Sequence, residues 1–556
     1  MNTRRTILSR VAALAGLGVA ATGPSLAAGT SPPANAGSAQ SRGPQSGTGD
    51  VQRLGLVPND PGAATANANA LKALVSPSGS FAGRVWFPNT TGKDVYYLDD
   101  IVPFHDGIQV DLQGCTLHFG KTSVRGDTNS GFIFAIRDFS IANGAIVVDY
   151  QATSGASNAG SALSFGNRGE DSHYFSPLYD SQLPVPMGNI TVRNLRISSN
   201  NRGGHGILMI GGLEGVLMEN VWIDGQGALD TGIYYEFGWA TNEPQRELRQ
   251  TSHAHNMRFS NIHISNINEQ RGQAFGLTGA YNCWVDGLYV RSAKILLQCS
   301  PGESAYFRPW AGVDQVGAKR NIALRNIVGT HITGTAIDVS GESSKSGGYL
   351  RGTRNGPAEQ TDLIDCSIDG FAIDGADLDG GYGVHSSAER LELRNGRITG
   401  FSRGIVTTQE CTRLCIDSVD IFGCKQIAIQ LGQQSSIWNP PRQKMGFVRN
   451  CFIAGNGIAN PGNFAAIELD QCAAFVIEGN RFGYEPSHDG QPETAQGFAV
   501  RLGGQASNVV CRCNHVAGLR PGGTAFVSRS AASSGNTLVN TSGVTSANGA
   551  WDSLKR

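Results

Sequence analysis

NITVRNLRI (189–197), GVLMENVWI (215–223), NMRFSNIHI (256–264), NCWVDGLYV (282–290) and NIALRNIVG (321–329) are five versions of one phrase. Each has two apolar residues at alternate positions, an Asn two positions later, and a second alternating pair; in the fourth, Gly287 replaces the Asn and follows Asp286. Shorter strand-like pieces lie between them: GHGILMI, TGIYYEF, AFGLTGA, KILLQCS and TAIDVSG. Period-two alternation predicts half-buried strands, and a phrase recurring every few dozen residues predicts a solenoid.

The Asn, or an Asp in its place, forms a ladder whose spacing tests this interpretation. Successive members are 22 to 41 residues apart, and a coil of three short strands and three turns needs ~22–25 residues. An antiparallel sandwich would instead turn every ~8–12 residues. We therefore predict an all-β chain folded as a single-stranded right-handed parallel β-helix of roughly a dozen coils. To within about one residue, the ladder positions are Asn194, Asn220, Asn261, Asp286, Asn326, Asp365, Asn395, Asp417, Asn450, Asn480 and Asn514.

These ladder residues are assigned to the scaffold. A side-chain amide at a tight bend bonds backbone groups and tolerates left-handed geometry, and stacked copies can bond one another.

Composition restricts the class of protein. The chain of 556 residues has 44 Lys and Arg against 45 Asp and Glu, so it offers no basic excess for a nucleic-acid partner. Gly is 74 of 556 residues and charged residues are 16%, which favours a turn-rich, all-β protein. Beyond the N-terminal segment no run approaches the ~18 apolar residues of a membrane span. The eleven Cys lack zinc-site spacing, and we expect mostly reduced thiols inside the coil.

The first residues have the pattern of an export signal. Arg4 and Arg5 precede an apolar, Ala- and Gly-rich run that ends near Ala27, as in a charged n-region, a short h-region and a small-residue cleavage site. The paired arginines are similar to a twin-arginine signal, and an ordinary secretory signal is the alternative. We predict a signal peptide at 1–28, recognition by the twin-arginine export machinery, and a periplasmic or secreted location.

The rest of the chain divides by composition and pattern. Residues 29–50 have linker composition, too poor in apolar side chains to order themselves. Residues 51–130 are predicted to form an N-terminal cap and the first coils, 131–530 the parallel β-helix, and 531–556 an irregular tail. Within the cap, residues 63–75 have helix-forming Ala and Leu at helical spacing. Because the first coil of a solenoid exposes an apolar end, this helix is expected to cover it.

The order of elements in the cap carries a resemblance. A turn at Asn59–Gly62, the short helix, the strand Val85-Trp86-Phe87-Pro88 and an I-x-V-D-L-x-G-x-x-L strand at 108–117 resemble the entry segment of pectate-lyase-superfamily β-helix proteins. The resemblance covers about seventy residues, and its motifs are structural. It implies the fold and, together with the loop composition described next, it favours a carbohydrate-active protein.

Long insertions mark the candidate site, because a β-helix binds extended polymers along a groove between loops that leave one sheet. The insertion between Asn220 and Asn261 concentrates carboxylates, aromatic rings and imidazoles. Glycosidic hydrolysis needs paired carboxylates, one to protonate the leaving oxygen and one to activate water or attack carbon. A solvated loop over the groove is the alternative. The candidate catalytic residues are Asp230 and Glu236 in this insertion, and Glu303 and Asp338 in later coils.

Strand alignment sets the outward row of the second strands. With Ile207, Ile233, Phe275, Ile295 and Ile337 inside, the outward residues are Leu208, Tyr234, Gly276, Leu296 and Asp338. On this register Glu236 and Asp338 are three coils, or roughly 14 Å, apart. This exceeds the ~5–9.5 Å of a carboxylate pair, so each would need a nearer partner from a loop.

A lyase is the second hypothesis. Arg binds carboxylate bidentately and suits a carboxylated sugar. Tyr306 with Arg308 or Lys294 could act as base and charge neutraliser in a lyase that abstracts a proton beside a uronate carboxylate. Packing of this loop against the sheet is the alternative. The candidate substrate-binding residues are His205, Tyr234, Trp239, Tyr306, Arg308 and Trp310.

Gly204-His205-Gly206 resembles the G-H-G element of polygalacturonase-type hydrolases. The N-T-D element and the paired Asp of that family are missing, and the R-x-K at Arg442–Lys444 lies far downstream. The resemblance therefore transfers no catalytic aspartate.

Metal signals are limited to turns rich in carboxylates. Asp374, Asp377 and Asp379 lie in one such turn, which could take Ca²⁺ although its spacing matches no full loop pattern. We predict no metal or cofactor, with Ca²⁺ as the open alternative.

The sequence thus predicts an exported enzyme that cleaves an extended polysaccharide, by the glycoside hydrolase mechanism first. The alternatives are a polysaccharide lyase on a uronate-containing glycan and a non-catalytic glycan-binding or envelope structural protein.

Overall fold

Two parallel sheets form the solenoid in a computed structural model of the chain, which we call sheet 1 and sheet 2. The structure describes residues 45–76, 81–120, 131–135, 137–149, 160–166, 187–210, 213–236, 254–278, 280–300, 320–339, 364–376, 379, 381–386, 388, 390–408, 411, 413–433, 443–470, 472–483, 496–503, 506–520, 525–528, 535–539, 541, 547–548 and 554–555.

Among these residues, sheet 1 has 22 strands: Gln45–Asp50, Phe81–Trp86, Val95–Leu98, Ile108–Asp111, Thr116–Phe119, Arg137–Val148, Met187–Ser199, Leu213–Asp224, His255–Ser265, Tyr281–Ala293, Arg320–Ile332, Ile364–Gly375, Arg390–Thr399, Leu414–Phe422, Gln443–Arg449, Phe452–Ala454, Cys472–Glu478, Arg481–Phe482, Val510–Arg512, His515–Val516, Thr537–Val539 and Leu554–Lys555. In the same part of the chain sheet 2 has 15 strands: Val102–Phe104, Gly131–Ala135, Ser161–Gly166, His205–Ile210, Thr231–Glu236, Gln273–Thr278, Ile295–Ser300, Ile337–Val339, Tyr382–Ser386, Arg403–Thr408, Ile429–Gln433, Ala465–Leu469, Phe498–Leu502, Phe526–Ser528 and Ala547–Asn548.

Each coil adds one strand to sheet 2, and all recorded pairings along that sheet are parallel. The inward row runs Ile207, Ile233, Phe275, Leu297, Ile337 in successive coils, and every one of these side chains is fully buried. The core between the sheets is therefore a stack of apolar rungs, and the predicted all-β parallel β-helix is confirmed.

The register differs from the prediction in one coil. Phe275 pairs with Leu297, not with Ile295, and Gly276 therefore pairs with Gln298. Leu296, expected outside, is fully buried and packs over Gly329, where a β-carbon would lie 2.0 Å from the Leu296 side chain. Because residues 295–297 are all apolar, the sequence alternation did not determine which of them point into the core. The outward residue of this coil is Gln298.

The long strands of sheet 1 bend at the ladder. Asn194, Asn220, Asn261 and Asn326 have φ between 49° and 55°, in the left-handed region that Asn tolerates better than most residues. The Asn220 amide donates to Asn194 Oδ1 (2.9 Å), and the Asn261 amide donates to Asn220 Oδ1 (2.8 Å). The predicted scaffold role is confirmed in these coils.

One predicted ladder position is wrong, and two others lie one residue from the bend. Asp365 lies at a strand start and is paired with Arg390; the bend of that coil is Asp369-Gly370, and Asp369 accepts from Asn395 at 2.7 Å. Asn480 and Asn514 are buried, each one residue beyond the left-handed residue. There they bond backbone groups on the inner side of the bend, and the Asn480 amide donates to Asn514 Oδ1 at 3.0 Å, so they form an inner ladder.

The predicted cap helix is present as Ala64–Val75, preceded by a 3₁₀ turn at Pro61–Ala63 with Asp60 as N-cap. Its buried face consists of Asn67, Ala68, Leu71 and Val75. Asn67 exchanges hydrogen bonds with the Val57 backbone at 2.8 and 2.9 Å. The helix thus joins the apolar core at the end where the solenoid begins.

The solenoid extends past two boundaries predicted from composition. Gln45–Asp50, inside the predicted linker, pairs with Phe81–Trp86 through backbone groups, which needs no large apolar side chains. At the other end Thr537–Val539 pairs with Val510–Arg512 inside the predicted tail.

The eleven Cys are free thiols, and nine of them are buried, as expected for small core residues. Among the described residues no helix is long and apolar enough to cross a membrane.

Candidate functional site

A row of outward positions, four with polar side chains and one a glycine, runs along the outer face of sheet 2. Strand register aligns Tyr234, Gly276, Gln298, Asp338 and His385 in five successive coils. Because neighbouring strands are ~4.8 Å apart, the row is a continuous strip on which an extended ligand can lie along the solenoid axis. It is the site described below.

Asp338 and His385 form the centre of this strip. His385 Nδ1 lies 3.1 Å from Asp338 Oδ1. Since a carboxylate oxygen can only accept, Nδ1 carries the hydrogen and Nε2 is left as the basic nitrogen. Asp338 is 6% exposed, while the His385 side chain is 20% exposed. A buried acid thus orients a partly exposed imidazole, the arrangement used to position a general base.

Tyr382 and Arg403 complete the centre. The Tyr382 ring lies 5.8 Å from the His385 ring, and Arg403 Cζ lies 5.9 Å from the Tyr382 ring centroid. Arg403 donates from Nε to Gln426 (2.8 Å) and from Nη1 to Gln430 (2.6 Å). Both acceptors are neutral amides. None of the described carboxylates forms an ion pair with the Arg403 guanidinium. Among the described residues, its positive charge is therefore held in place by neutral groups alone.

Two of the predicted binding residues lie at the opposite end of the strip, Tyr234 in the row itself and His205 next to it. His205 and Tyr234 are stacked, with ring centroids 5.8 Å apart and planes 16° apart. Gly276 in the next coil leaves room for the Tyr234 ring, since a β-carbon there would lie 2.7 Å from it. Tyr234 therefore lies on the strip, and His205, whose strand register aligns it with Thr231, lies beside it.

Asp230, a predicted catalytic residue, lies at the start of the strand Thr231–Glu236. Its Oδ1 accepts from Arg271 Nε at 2.9 Å. Burial raises the pKa of the Asp230 carboxyl, and the nearby Arg271 and Arg202 only partly oppose this rise. A carboxyl with a raised pKa suits a general acid.

Three of the four predicted catalytic residues have described backbone positions, and these positions lie far apart. Asp230 and Glu236 flank the ends of one strand, six residues or roughly 20 Å apart along an extended backbone. Asp338 lies three coils from Glu236, again roughly 14 Å. Glu303, Trp239, Tyr306, Arg308 and Trp310 lie outside the described residues, so their roles stay predictions.

The metal hypothesis also stays a prediction. Within the described residues no group of three or more His, Cys, Asp and Glu could hold a metal ion. Asp379 is ion-paired with Lys425, Asp374 accepts from Thr399 at 2.8 Å, and Asp377 lies outside the described residues.

Sequence reasoning missed His385, Tyr382, Arg403 and Gln430. The signal was present: Tyr382-Gly-Val-His385 is another alternating strand piece, and extending the outward row one coil beyond Asp338 reaches His385.

No protein-family model matches the chain, and no curated protein matches it. Solved structures match at low identity. Tailspike protein 3 of bacteriophage CBA120 is 10% identical with a TM-score of 0.42, and the match covers 89% of this chain and 62% of that one. The tailspike of E. coli bacteriophage HK620, solved with a pentasaccharide, is 10% identical with a TM-score of 0.46 and coverages of 89% and 78%.

A mannuronan C-5 epimerase A-module from Azotobacter vinelandii is 10% identical with a TM-score of 0.35, and the match covers 91% of this chain and 100% of that one. The chain spans less than two thirds of the length of the first of these tailspikes. Likeness at this level does not extend to function, which must come from the site.

Proposed function

We propose that this protein is a carbohydrate-active enzyme that acts on an extended, uronate-containing glycan by proton abstraction, with His385 as the base. The observation that carries the proposal is the His385–Asp338 pair, with Tyr382 between it and Arg403, whose hydrogen bonds to described side chains go to two neutral amides. This combination favours the lyase mechanism over the hydrolase mechanism, because the described residues provide one buried carboxylate at the centre and it is bound to an imidazole.

The chemistry follows from the three side chains. Arg403 neutralises the uronate carboxylate and so acidifies the hydrogen on the adjacent carbon. His385 Nε2 removes that hydrogen as a proton, and Asp338 stabilises the imidazolium that forms. The electron pair of the broken C–H bond becomes a carbon–carbon double bond as the glycosidic C–O bond breaks. The Tyr382 hydroxyl protonates the departing oxygen. Solvent then returns a proton to Tyr382 and accepts the proton that His385 has taken from the substrate.

A second candidate, glycoside hydrolysis, is favoured by one observation. Burial raises the pKa of Asp230, which suits the acid of a carboxylate pair. Its partner would have to come from outside the described residues.

Incubation of the purified protein with acidic and neutral polysaccharides separates these functions. The proposal expects an unsaturated product that absorbs in the ultraviolet, formed from acidic glycans alone. New reducing ends without that absorbance would support the hydrolase, and affinity without either product would support a binding protein.

A further inference from the structure

A second groove, of about 530 Å³, crosses the outer face of sheet 1 beyond the Asn corner. Strand register aligns Arg196, Trp222, His263, Tyr289 and Val328 in five successive coils. Four strand spacings separate the first from the last, roughly 19 Å. The groove is thus long and narrow, and its axis runs along the solenoid like the strip on sheet 2.

The rings in this row are stacked. Trp222 and His263 have centroids 5.7 Å apart, and His263 and Tyr289 have centroids 4.6 Å apart, with planes 15° apart in both pairs. Arg196 lies over the Trp222 ring at 5.7 Å. The next coil after Tyr289 has the smaller Val328, and Tyr289 is 38% exposed. The far face of the Tyr289 ring therefore offers a flat apolar surface.

The middle ring is fixed by an interruption in the ladder. His263 Nε2 lies 2.8 Å from Asn261 Oδ1, an oxygen that the ladder amide of the next coil would otherwise occupy. That coil has Gly287 at the bend, so no amide competes. Burial lowers the pKa of His263, which keeps the imidazole neutral near pH 7, with Nε2–H as donor and Nδ1 as acceptor.

Charge in the groove points to the class of ligand. Arg291 lies in the neighbouring outward row, aligned with Ser265 and Asp224. The Asp224 carboxylate already accepts from Asn266 (2.9 Å) and from the Gln226 backbone (3.0 Å). No described carboxylate is recorded in an ion pair with Arg196 or Arg291. Two guanidiniums near the ends of a ring stack suit a ligand that combines carboxylates with apolar sugar faces.

We infer that this groove is a second, non-reacting binding site for an acidic glycan chain, which lies along the solenoid with a sugar face on Tyr289 and carboxylates on Arg196 and Arg291. The identity of the ligand rests on the proposed function, but the site itself does not share residues with it. Such a site holds a long polymer while the strip on sheet 2 acts on it.

The test uses hexagalacturonate and hexamannuronate as probes and calorimetry as the readout. In a His385→Gln background, which prevents consumption of the probe, we expect two binding events per chain for at least one probe. Adding Tyr289→Ala with Arg291→Gln should leave one. In the otherwise wild-type protein the same pair of changes should raise KM for the long polymer several-fold and leave kcat on the hexasaccharide unchanged.

Trp284→Ala is the matched control. Trp284 is also an exposed ring (36%) under an arginine, Arg258 at 5.3 Å, but it lies before the Asn corner and outside the groove. Thermal melts of all variants check folding. Equal stoichiometry and KM in the groove variant and the Trp284 control would overturn the inference, as would the absence of binding by both probes.

The two proposals fail separately. If binding depended on Tyr289 but no acidic glycan were turned over, the proposed function would be wrong and the binding site in the groove would be supported. If turnover depended on His385, and neither binding nor KM depended on Tyr289, the proposed function would be supported and the binding site in the groove would be wrong.

Discussion

His385 Nδ1 lies 3.1 Å from Asp338 Oδ1 across one strand spacing, and this contact joins a buried acid to a partly exposed base. We expect His385→Gln to lower kcat on an acidic glycan by about 10²–10⁴-fold, the range that general acid–base catalysis contributes. Asp338→Asn should also lower kcat, because an amide can hold the wrong imidazole tautomer. Initial rates from ultraviolet absorbance measure both effects.

The control for these variants is His515→Gln, an exposed imidazole on sheet 1. Its rate should equal that of the unmodified chain. If His385→Gln retained full activity with an intact fold, His385 could not be the base.

Arg403→Gln tests the charge that faces the substrate. A hydrogen bond to a charged group contributes about 1.5–3 kcal/mol, so losing it should reduce kcat/KM on an acidic glycan by about 10–150-fold. Arg403→Lys keeps the charge without the fork geometry and should recover part of the loss. Comparable kcat/KM values for Arg403→Gln and the unmodified chain on acidic glycans would contradict the assigned role.

Asn220→Ala tests the ladder. Asn220 has φ of 54° and bonds Asn194 and Asn261. Removing two neutral hydrogen bonds, at about 0.5–1.5 kcal/mol each, and placing Ala in the left-handed region, at about 1–2 kcal/mol, should cost about 2–5 kcal/mol of unfolding free energy. Asn220→Gly avoids the backbone cost and should lose less.

Urea denaturation followed by circular dichroism gives these differences. Asn256→Gly is the control, since Asn256 also has positive φ (57°), is exposed, and makes no side-chain hydrogen bond to a described residue of another coil. A smaller loss for Asn220→Ala than for Asn220→Gly would show that the left-handed backbone does not matter there.

Asp94 is expected to make the cap sensitive to acid. This buried carboxylate accepts from Thr91, Asn59 and Thr90, which hold its pKa well below the usual range against the opposing effect of burial. Because the folded-state pKa is depressed, the stabilisation is fully present above the unfolded-state pKa of about 3.9. It is lost as pH falls from there through the folded-state pKa.

Asp94→Asn should therefore destabilise the chain at pH 7, with a smaller difference from the unmodified chain at pH 3. Urea midpoints at the two pH values measure this change. The control is Asp100→Asn, whose half-exposed carboxylate pairs with Lys72. A destabilisation by Asp94→Asn that was the same at both pH values would contradict the argument.

The fold could be predicted because its signals are local. A bend with left-handed backbone conformation favours Asn or Gly. The bends at Asn194, Asn220 and Asn326 could therefore be located from the sequence. The bend at Asp369-Gly370 was missed because Asp365, four residues earlier, has the same chemical character. An apolar run such as 295–297 predicts that a strand is present. It does not predict which residues face the core, since apolar residues at every position fit either face of the sheet.

The candidate site was harder to predict because it depends on register across coils. His385 follows Asp338 by 47 residues, and only the pairing of their strands makes them neighbours. Trp222, His263 and Tyr289 stand at one position of the repeated phrase, where alternation shows that they point outward but not that they stack. Long loops drew attention to Asp230–Glu236, although the two carboxylates flank opposite ends of one strand.

The most direct test of proton abstraction uses a polyuronate with deuterium on the carbon beside the carboxylate. The rate at which ultraviolet-absorbing product forms is compared with the rate for the unlabelled polymer at saturation. If His385 removes that hydrogen in the rate-limiting step, the labelled polymer reacts several-fold more slowly, and His385→Gln forms product from either polymer about 10²–10⁴-fold more slowly than the unmodified chain. Equal rates of chain cleavage without ultraviolet absorbance would contradict the account and favour hydrolysis by carboxylates.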